Sequence, residues 1–250
     1  MIDEERYKDY ENLLMRRDAI RKEGESLALE YIRVFGQLIA DVFRKKIECI
    51  EKKKKIAFCQ ACVNRGKPII ETEADNYIRS TMAEYYDELD SMLNDLSFAS
   101  DVSPITLSEK KKIKEIYRYL AKMIHPDKRP DLAEDEMIQM LWREIYAAYT
   151  YNDLASLEEL KFRTENYLDQ IDGSRLQTPI PDLENRIAKV CDEIETLINS
   201  NPYQYRQILR DHETVEKKKR ELQEELESYI SYSAQLEDVL QAFPIRRFDA

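Results

Sequence analysis

The chain has 250 residues, of which 36% are charged and 43% hydrophobic, with only 4 Gly and 8 Pro. Few turn formers among many Glu, Lys and Leu residues indicate long helices rather than sheet. The net charge of −11 argues against nucleic-acid binding and against attachment to an anionic membrane surface. No apolar run approaches the roughly 18 residues that a membrane span needs, and the polar N-terminus MIDEERYKDY predicts no signal peptide. We therefore expect a cytoplasmic protein.

The first hundred residues predict a helical hairpin. A nearly uninterrupted helix is expected from about residue 4 to residue 65, with a kink or break at Gly24. Asn64 to Pro68 is a stop signal, because Gly66 suits a helix C-cap and Pro68 follows it. A second amphipathic helix is expected over about 72–98. The short turn between the two helices favours an antiparallel hairpin, so residues 1–100 are the first predicted domain.

The rest of the chain predicts two further helical domains. After a linker at 99–106, helices are expected over about 108–124, 133–151 and 153–169, which make a central domain of residues 105–170. Asp172-Gly173-Ser174 and the prolines at 179 and 181 mark a second boundary. Helices over about 183–198 and 203–242, separated by a turn at 199–202, predict a coiled-coil-like hairpin over 180–243.

A basic row lies on the helix predicted at 108–124. Residues 109–129 include eight basic and three acidic residues, a local balance of +5. Four of the basic residues follow one another at four-residue steps: Lys110, Lys114, Arg118 and Lys122. A positive stripe in an acidic chain favours encounter with an acidic partner.

The stripe leads into the tripeptide His125-Pro126-Asp127. Proline disfavours helix at the preceding residue, so we expect the helix to end near His125 and all three side chains to be exposed in a loop. The next helix carries an apolar face toward the first one: Ile138, Leu141, Trp142, Ile145, Ala148 and Tyr149.

These residues resemble the J-domain (DnaJ-like, Hsp40) family of co-chaperones. The segment IKEIYRYLAKMIHPDK at 113–128 is similar to helix II and the HPD loop of that family, and WREIYAAY at 142–149 is similar to its helix III. The resemblance covers about residues 107–151. It implies that the basic face of the helix, Lys128 and the HPD loop dock on an Hsp70 (DnaK-like) chaperone. Asp127 would pair with a basic residue of Hsp70 and promote ATP hydrolysis there, while His125 and Pro126 would shape the loop.

The chain departs from the family pattern in two respects. The usual helix I, with its Tyr-Tyr and Leu-Gly-Val signature, is missing directly upstream. Its packing role is expected to fall to the helix that contains Tyr85, Tyr86 and Leu96, or to a hairpin. Asn152-Asp153 replaces an apolar position after helix III and resembles an N-cap for the next helix. Whether the flanking helices cover the HPD loop is left open by the sequence.

The sequence favours neither an enzyme nor a metal protein. The only histidines, His125 and His212, lie in separate segments, and the chain has no Gly-rich phosphate loop, GxSxG or HExxH motif. Cys59 and Cys62 have metal-like spacing, but they lie within a helical pattern without a second pair. We therefore expect no catalytic residue, no metal and no cofactor.

The sequence thus predicts an all-α, elongated protein in which long helical hairpins flank a central J-like hairpin. The function it favours is that of a co-chaperone that binds Hsp70 and whose flanking helices select an unknown client protein. The long apolar seams are expected to close within the chain or in a homodimer. The alternative is a coiled-coil scaffold in which the J-like segment is structural.

Overall fold

The computed structural model describes residues 2–101, 106–171 and 182–246, and nearly all of these residues are helical. The elements in these ranges are α1 (Ile2–Asn64), β1 (Ile69–Ile70), α2 (Glu71–Asp101), α3 (Leu107–Ile124), α4 (Glu136–Thr150), α5 (Leu154–Gln170), α6 (Leu183–Ile198), α7 (Tyr205–Leu209), α8 (His212–Gln241) and β2 (Ile245–Arg246). The two short strands pair in parallel. The predicted all-α class is confirmed. No helix within the described ranges is both long enough and apolar enough to cross a membrane.

Helix α1 passes through Gly24 without a break, so of the two predicted alternatives, a kink or a break, the break is wrong. A glycine inside a helix lowers the stability of the helix by only about 1 kcal/mol relative to alanine, and the hydrogen-bonded turns on either side keep the helix continuous. A Cβ atom at this position would lie 3.3 Å from the Cγ atom of Pro202. Gly24 therefore allows the turn after α6 to approach α1 closely. The predicted stop is correct, because α1 ends at Asn64 and Gly66 adopts a φ of 64°.

The chain forms two compact units, whose boundaries differ from the predicted domains 1–100, 105–170 and 180–243. Unit 1 comprises Met1–Ala28 and Ser103–Tyr205, and unit 2 comprises Leu29–Val102 and Arg206–Ala250. Helix α1 contributes its first part to unit 1 and the rest to unit 2. The predicted C-terminal hairpin is divided, because α6 belongs to unit 1 and α8 to unit 2.

Unit 1 is built around α3, α4 and α5. The expected inner faces of α3 and α4 are buried together, with Ile113, Leu120 and Ile145 fully inaccessible to solvent. Leu157 and Leu160 of α5 complete the same core. A second cluster joins the first part of α1 to α6, and its buried members are Tyr10, Leu14, Ile20, Val190 and Ile194. The J-like helices thus pack with α5, and α1 is held beside them in the same unit.

Unit 2 contains the rest of α1 together with α2 and α8. Ile47 of α1 packs against Ile78 and Met82 of α2, so the predicted packing of the first two long helices is present over this part of α1. Phe35 and Val42, also on α1, bury Leu222 of α8. Two apolar stripes of α1 thus pack against α2 and α8 within unit 2.

The last predicted helix, over 203–242, is interrupted. It is divided into α7 and α8 because the Asp211 side chain accepts hydrogen bonds from the backbone N–H and the hydroxyl of Thr214, at 2.9 and 2.8 Å, and so begins a new helix. The predicted N-cap after α4 is confirmed, since Asp153 accepts from the N–H of Ser156 at 3.0 Å. Residues 99–101 of the predicted linker at 99–106 belong to α2, so the linker prediction is wrong there. Residues 102–105 and the whole boundary at 172–181 lie outside the described residues.

Candidate functional site

The His-Pro-Asp tripeptide forms a turn at the end of α3. The N–H of His125 donates to the carbonyl of Ala121 at 3.1 Å, and Pro126 then prevents another helical turn. The His125 carbonyl accepts from the backbone N–H groups of Lys128 and Arg129, at 2.9 and 2.8 Å. Arg129 also forms a two-point ion pair with Asp131. The turn is therefore fixed by its own backbone and by a neighbouring side-chain pair.

The His125 ring is buried, with a relative exposure of 2%, so the expected exposure of this side chain is wrong. Its Nδ1 atom accepts from the backbone N–H of Asp127 at 3.0 Å. Its Nε2 atom lies 3.5 Å from Oδ2 of Asp18 and 3.4 Å from Nη2 of Arg17. The ring also lies 4.6 Å from that of Trp142. His125 therefore shapes the loop from inside the protein.

Asp18 of α1 is the centre of the buried contacts beneath the turn. It is 1% exposed and accepts from the Tyr117 hydroxyl at 2.7 Å and from Nε of Arg17 at 3.1 Å. Burial by itself would raise the pKa of Asp18, but hydrogen bonding from His125 and the charge of Arg17 together outweigh it and lower the pKa. The same burial and the Asp18 carboxylate raise the pKa of Tyr117. Asp18 is thus held as an anion.

Arg17 is the cation that balances this site, and it contacts three carboxylates. Its Nε atom faces Asp18, while its Nη1 atom lies 3.1 Å from Oδ2 of Asp127 and 3.3 Å from Oε2 of Glu193. Burial tends to lower the pKa of Arg17, but the charges of Asp18 and Asp127 raise it above its ordinary value. The acidic residue of the HPD tripeptide is therefore joined to α1 by an ion pair.

The outer residues of the turn are only partly covered. The Asp127 side chain is 37% exposed, in contrast to 2% for His125. Lys128 pairs with Glu11 of α1 at 2.8 Å and has a 13% exposed side chain. Burial of Lys128 lowers its pKa despite this pair. Of the tripeptide's two ionisable side chains, Asp127 is thus the one that an approaching molecule can reach.

The basic row is displayed as the sequence predicts. Lys110, Lys114, Arg118 and Lys122 are all exposed, and within the described part of the chain none of them has an ion-pair partner. Lys114 and Arg118 line a cleft of about 400 Å³ between α3 and the first part of α1, where Arg16 also lies. The site therefore combines an exposed positive stripe with a carboxylate at its C-terminal end.

A lysine of α1 also lies against α3 and α4. Lys22 places its Nζ atom 3.8 Å from the centre of the Tyr149 ring, and that ring is stacked on Tyr117 at 3.7 Å. Burial and the nearby charge of Lys110 lower the pKa of Lys22 to about 8. Burial and the Asp18 carboxylate raise the pKa of Tyr149 to about 12. The cation–π contact adds to the packing of α1 on this module.

The first part of α1 packs against α3 and α4, with Met15 against their common core and Lys22 over the Tyr149 ring. The helix with Tyr85, Tyr86 and Leu96 belongs to unit 2, and its expected packing role in place of helix I stays a prediction. The signal for α1 was present in the sequence. Tyr10, Leu14, Arg17, Asp18 and Arg21 follow helical three- and four-residue steps, which places two arginines and one aspartate on an otherwise apolar face. Charges in such positions are buried only when they are paired.

The described ranges contain no group of three or more His, Cys, Asp or Glu residues suited to hold a metal ion. Cys59 is buried and Cys62 is partly buried on α1, and both are free thiols. Neither belongs to unit 1, where the HPD turn lies. The site is therefore described by its charges and its shape alone.

Comparison with known proteins finds no match: no protein-family model, no curated protein and no solved structure matches the chain. The resemblance to J-domains accordingly depends on the residues at 107–151 and on the site just described.

Proposed function

We propose that the protein is a J-domain co-chaperone that docks on a cytoplasmic Hsp70 and stimulates its ATP hydrolysis. The observation that carries the proposal is the position of a partly exposed Asp127 at the end of an exposed basic row. The row would attract an acidic surface of Hsp70, and Asp127 would then pair with a basic residue there. A partner thus meets positive charges along α3 and then the negative charge of Asp127 in the following turn.

The rest of unit 1 supports a binding role for this turn. His125 is held by Asp127, Asp18 and Trp142, so the loop needs no ordering when a partner binds. Asp127 remains reachable because its carboxylate lies at the edge of this network. The flanking helices would then select the client protein, either as a single chain or as a homodimer formed through the long helices.

A coiled-coil scaffold is the second candidate, and one observation favours it. The burial of His125 and the ion pair between Asp127 and Arg17 give the tripeptide a structural role within unit 1. In that case the HPD turn joins α3 to α1 and has no partner outside the chain. The two functions differ in whether Asp127 acts on another protein.

Single-turnover ATP hydrolysis by a host-matched Hsp70 distinguishes the two functions. We expect the wild-type chain to increase the hydrolysis rate and Asp127→Asn to abolish the increase. Glu134→Gln is the matched control, because Glu134 is an exposed acidic residue of the same loop with no ion pair in the described structure. Asp127→Asn should leave the melting temperature nearly unchanged, since a partly exposed ion pair contributes about 0.2–1 kcal/mol. No stimulation by the folded wild-type chain would establish the scaffold instead.

A further inference from the structure

We propose that Arg17 is an internal substitute for the cation that Hsp70 presents to Asp127, and that it sets the affinity of the HPD turn for its partner. The inference depends on the proposed function, and it assigns Arg17 and Glu193 a regulatory part in it. Arg17 is a positioning residue here, since it acts through Asp127. The partner would bind by taking over one ion pair, with α1 remaining in place.

The first argument is the way in which Asp127 is shared. Arg17 contacts only Oδ2 of Asp127, at 3.1 Å. The other oxygen, Oδ1, has no hydrogen bond or ion pair with the described residues, and the side chain is 37% exposed. A cation from outside can therefore approach Oδ1 before Arg17 has moved. Exchange of the Arg17 guanidinium for the partner's cation then proceeds without leaving the carboxylate unpaired.

The second argument is that Arg17 retains partners when Asp127 leaves it. Its side chain is only 9% exposed, and an unpaired cation at such burial is strongly disfavoured. Asp18 lies 3.1 Å from Nε, and Glu193 lies 3.3 Å from Nη1. These two carboxylates keep the charge of Arg17 balanced after the exchange. The buried apolar contacts of Tyr10 and Leu14 with α6 need not be broken.

The third argument is the competition between Glu193 and Asp127 for one atom. Both carboxylates face Nη1 of Arg17, at 3.3 and 3.1 Å. Glu193 is also fixed by Arg21, whose Nη2 atom lies 3.3 Å from the same Oε2 oxygen. Glu193 therefore weakens the hold of Arg17 on Asp127. Removing the charge of Glu193 should leave Nη1 to Asp127 alone and make the turn harder for a partner to engage.

Two variants should shift the affinity in opposite directions. Glu193→Gln should raise the chain concentration needed for half-maximal stimulation of Hsp70 by about two- to fivefold, the scale of one partly exposed ion pair. Arg17→Lys should lower that concentration by a similar factor of about two to five. A lysine has one ammonium group, which Asp18 would retain because it is more deeply buried than Asp127. The maximal stimulated rate should be unchanged in both variants.

The matched control is Glu195→Gln, which removes an exposed glutamate from the same helix, α6. The inference is overturned if Glu193→Gln and Glu195→Gln behave alike. It is also overturned if Arg17→Lys, like Glu193→Gln, raises the concentration needed for half-maximal stimulation. If the wild-type chain stimulates Hsp70 and Asp127→Asn does not, the proposed function stands even where this inference fails. A wild-type chain that does not stimulate removes both.

Discussion

Replacement of Asp18 by asparagine should destabilise unit 1 more than any other conservative change on α1. Asp18 is 1% exposed, and it accepts hydrogen bonds from Tyr117 and Arg17 and faces Nε2 of His125. Breaking a buried ion pair by removal of one partner typically costs about 3–5 kcal/mol. Arg17 would keep Asp127 and Glu193, both about a third exposed, and these offset part of the loss. We therefore expect a decrease of about 3 kcal/mol in the free energy of unfolding.

Urea unfolding followed by Trp142 fluorescence measures this loss. Trp142 is the single tryptophan of the chain, and it packs in the core of unit 1 beside His125. Asp9→Asn is the matched control, because Asp9 is an exposed acidic residue of α1 in the same unit. This control should change the stability by less than about 0.5 kcal/mol. A loss below about 1 kcal/mol for Asp18→Asn would refute the assignment of Asp18 as the centre of the site.

The pH dependence provides an independent check on the same residue. The folded protein lowers the pKa of Asp18, so its contribution is fully present above the unfolded pKa of about 3.9. That contribution is lost as the pH falls through the lower, folded pKa. The stability difference between wild type and Asp18→Asn should therefore be constant near neutral pH and shrink below about pH 4. A difference that grows on acidification would contradict the direction of the shift.

Three further substitutions test the packing and the caps. Tyr117→Phe removes the hydroxyl that donates to Asp18, and urea unfolding should show a loss of about 1–3 kcal/mol; an unchanged midpoint would exclude this hydrogen bond. Leu120→Ala opens a cavity at a fully buried position of α3, and the same titration should show a loss of about 2–5 kcal/mol. Asp211→Ala removes the N-cap of α8, and the helical circular-dichroism signal should melt earlier, with a loss of about 1 kcal/mol; an unshifted melting curve would exclude the cap.

The helices could be predicted from the sequence because their signals are local. The bounds predicted for the third helix, 108–124, agree with α3 at Leu107–Ile124, since Pro126 fixes the end of the helix. The predicted bounds are wrong where a polar side chain ends one helix and caps the next. Asp211 divides the predicted last helix in this way, and its capping role depends on the Thr214 hydroxyl and N–H three residues later.

The burial of the HPD turn could not be predicted from local pattern. Arg17 and Asp127 are 110 residues apart, and the chain offers 50 acidic and 39 basic residues that could pair in many ways. Periodicity shows which face of a helix is buried, but not which other helix buries it. The charges of Arg17, Asp18 and Arg21 on the apolar face of α1 were the available sign that this helix covers a polar site. The basic row was predictable, because exposure of charged residues at four-residue steps requires no partner.

The site is tested most directly by the indole N–H resonance of Trp142, measured in the ¹⁵N-labelled chain as unlabelled, ATP-bound Hsp70 is added. Trp142 gives the one indole signal of the chain, and its ring lies 4.6 Å from that of His125. The account predicts that this resonance shifts or broadens saturably with the wild-type chain and stays unchanged with Asp127→Asn. An unperturbed resonance in the wild-type chain, or an equal perturbation in Asp127→Asn, would contradict docking through the HPD turn.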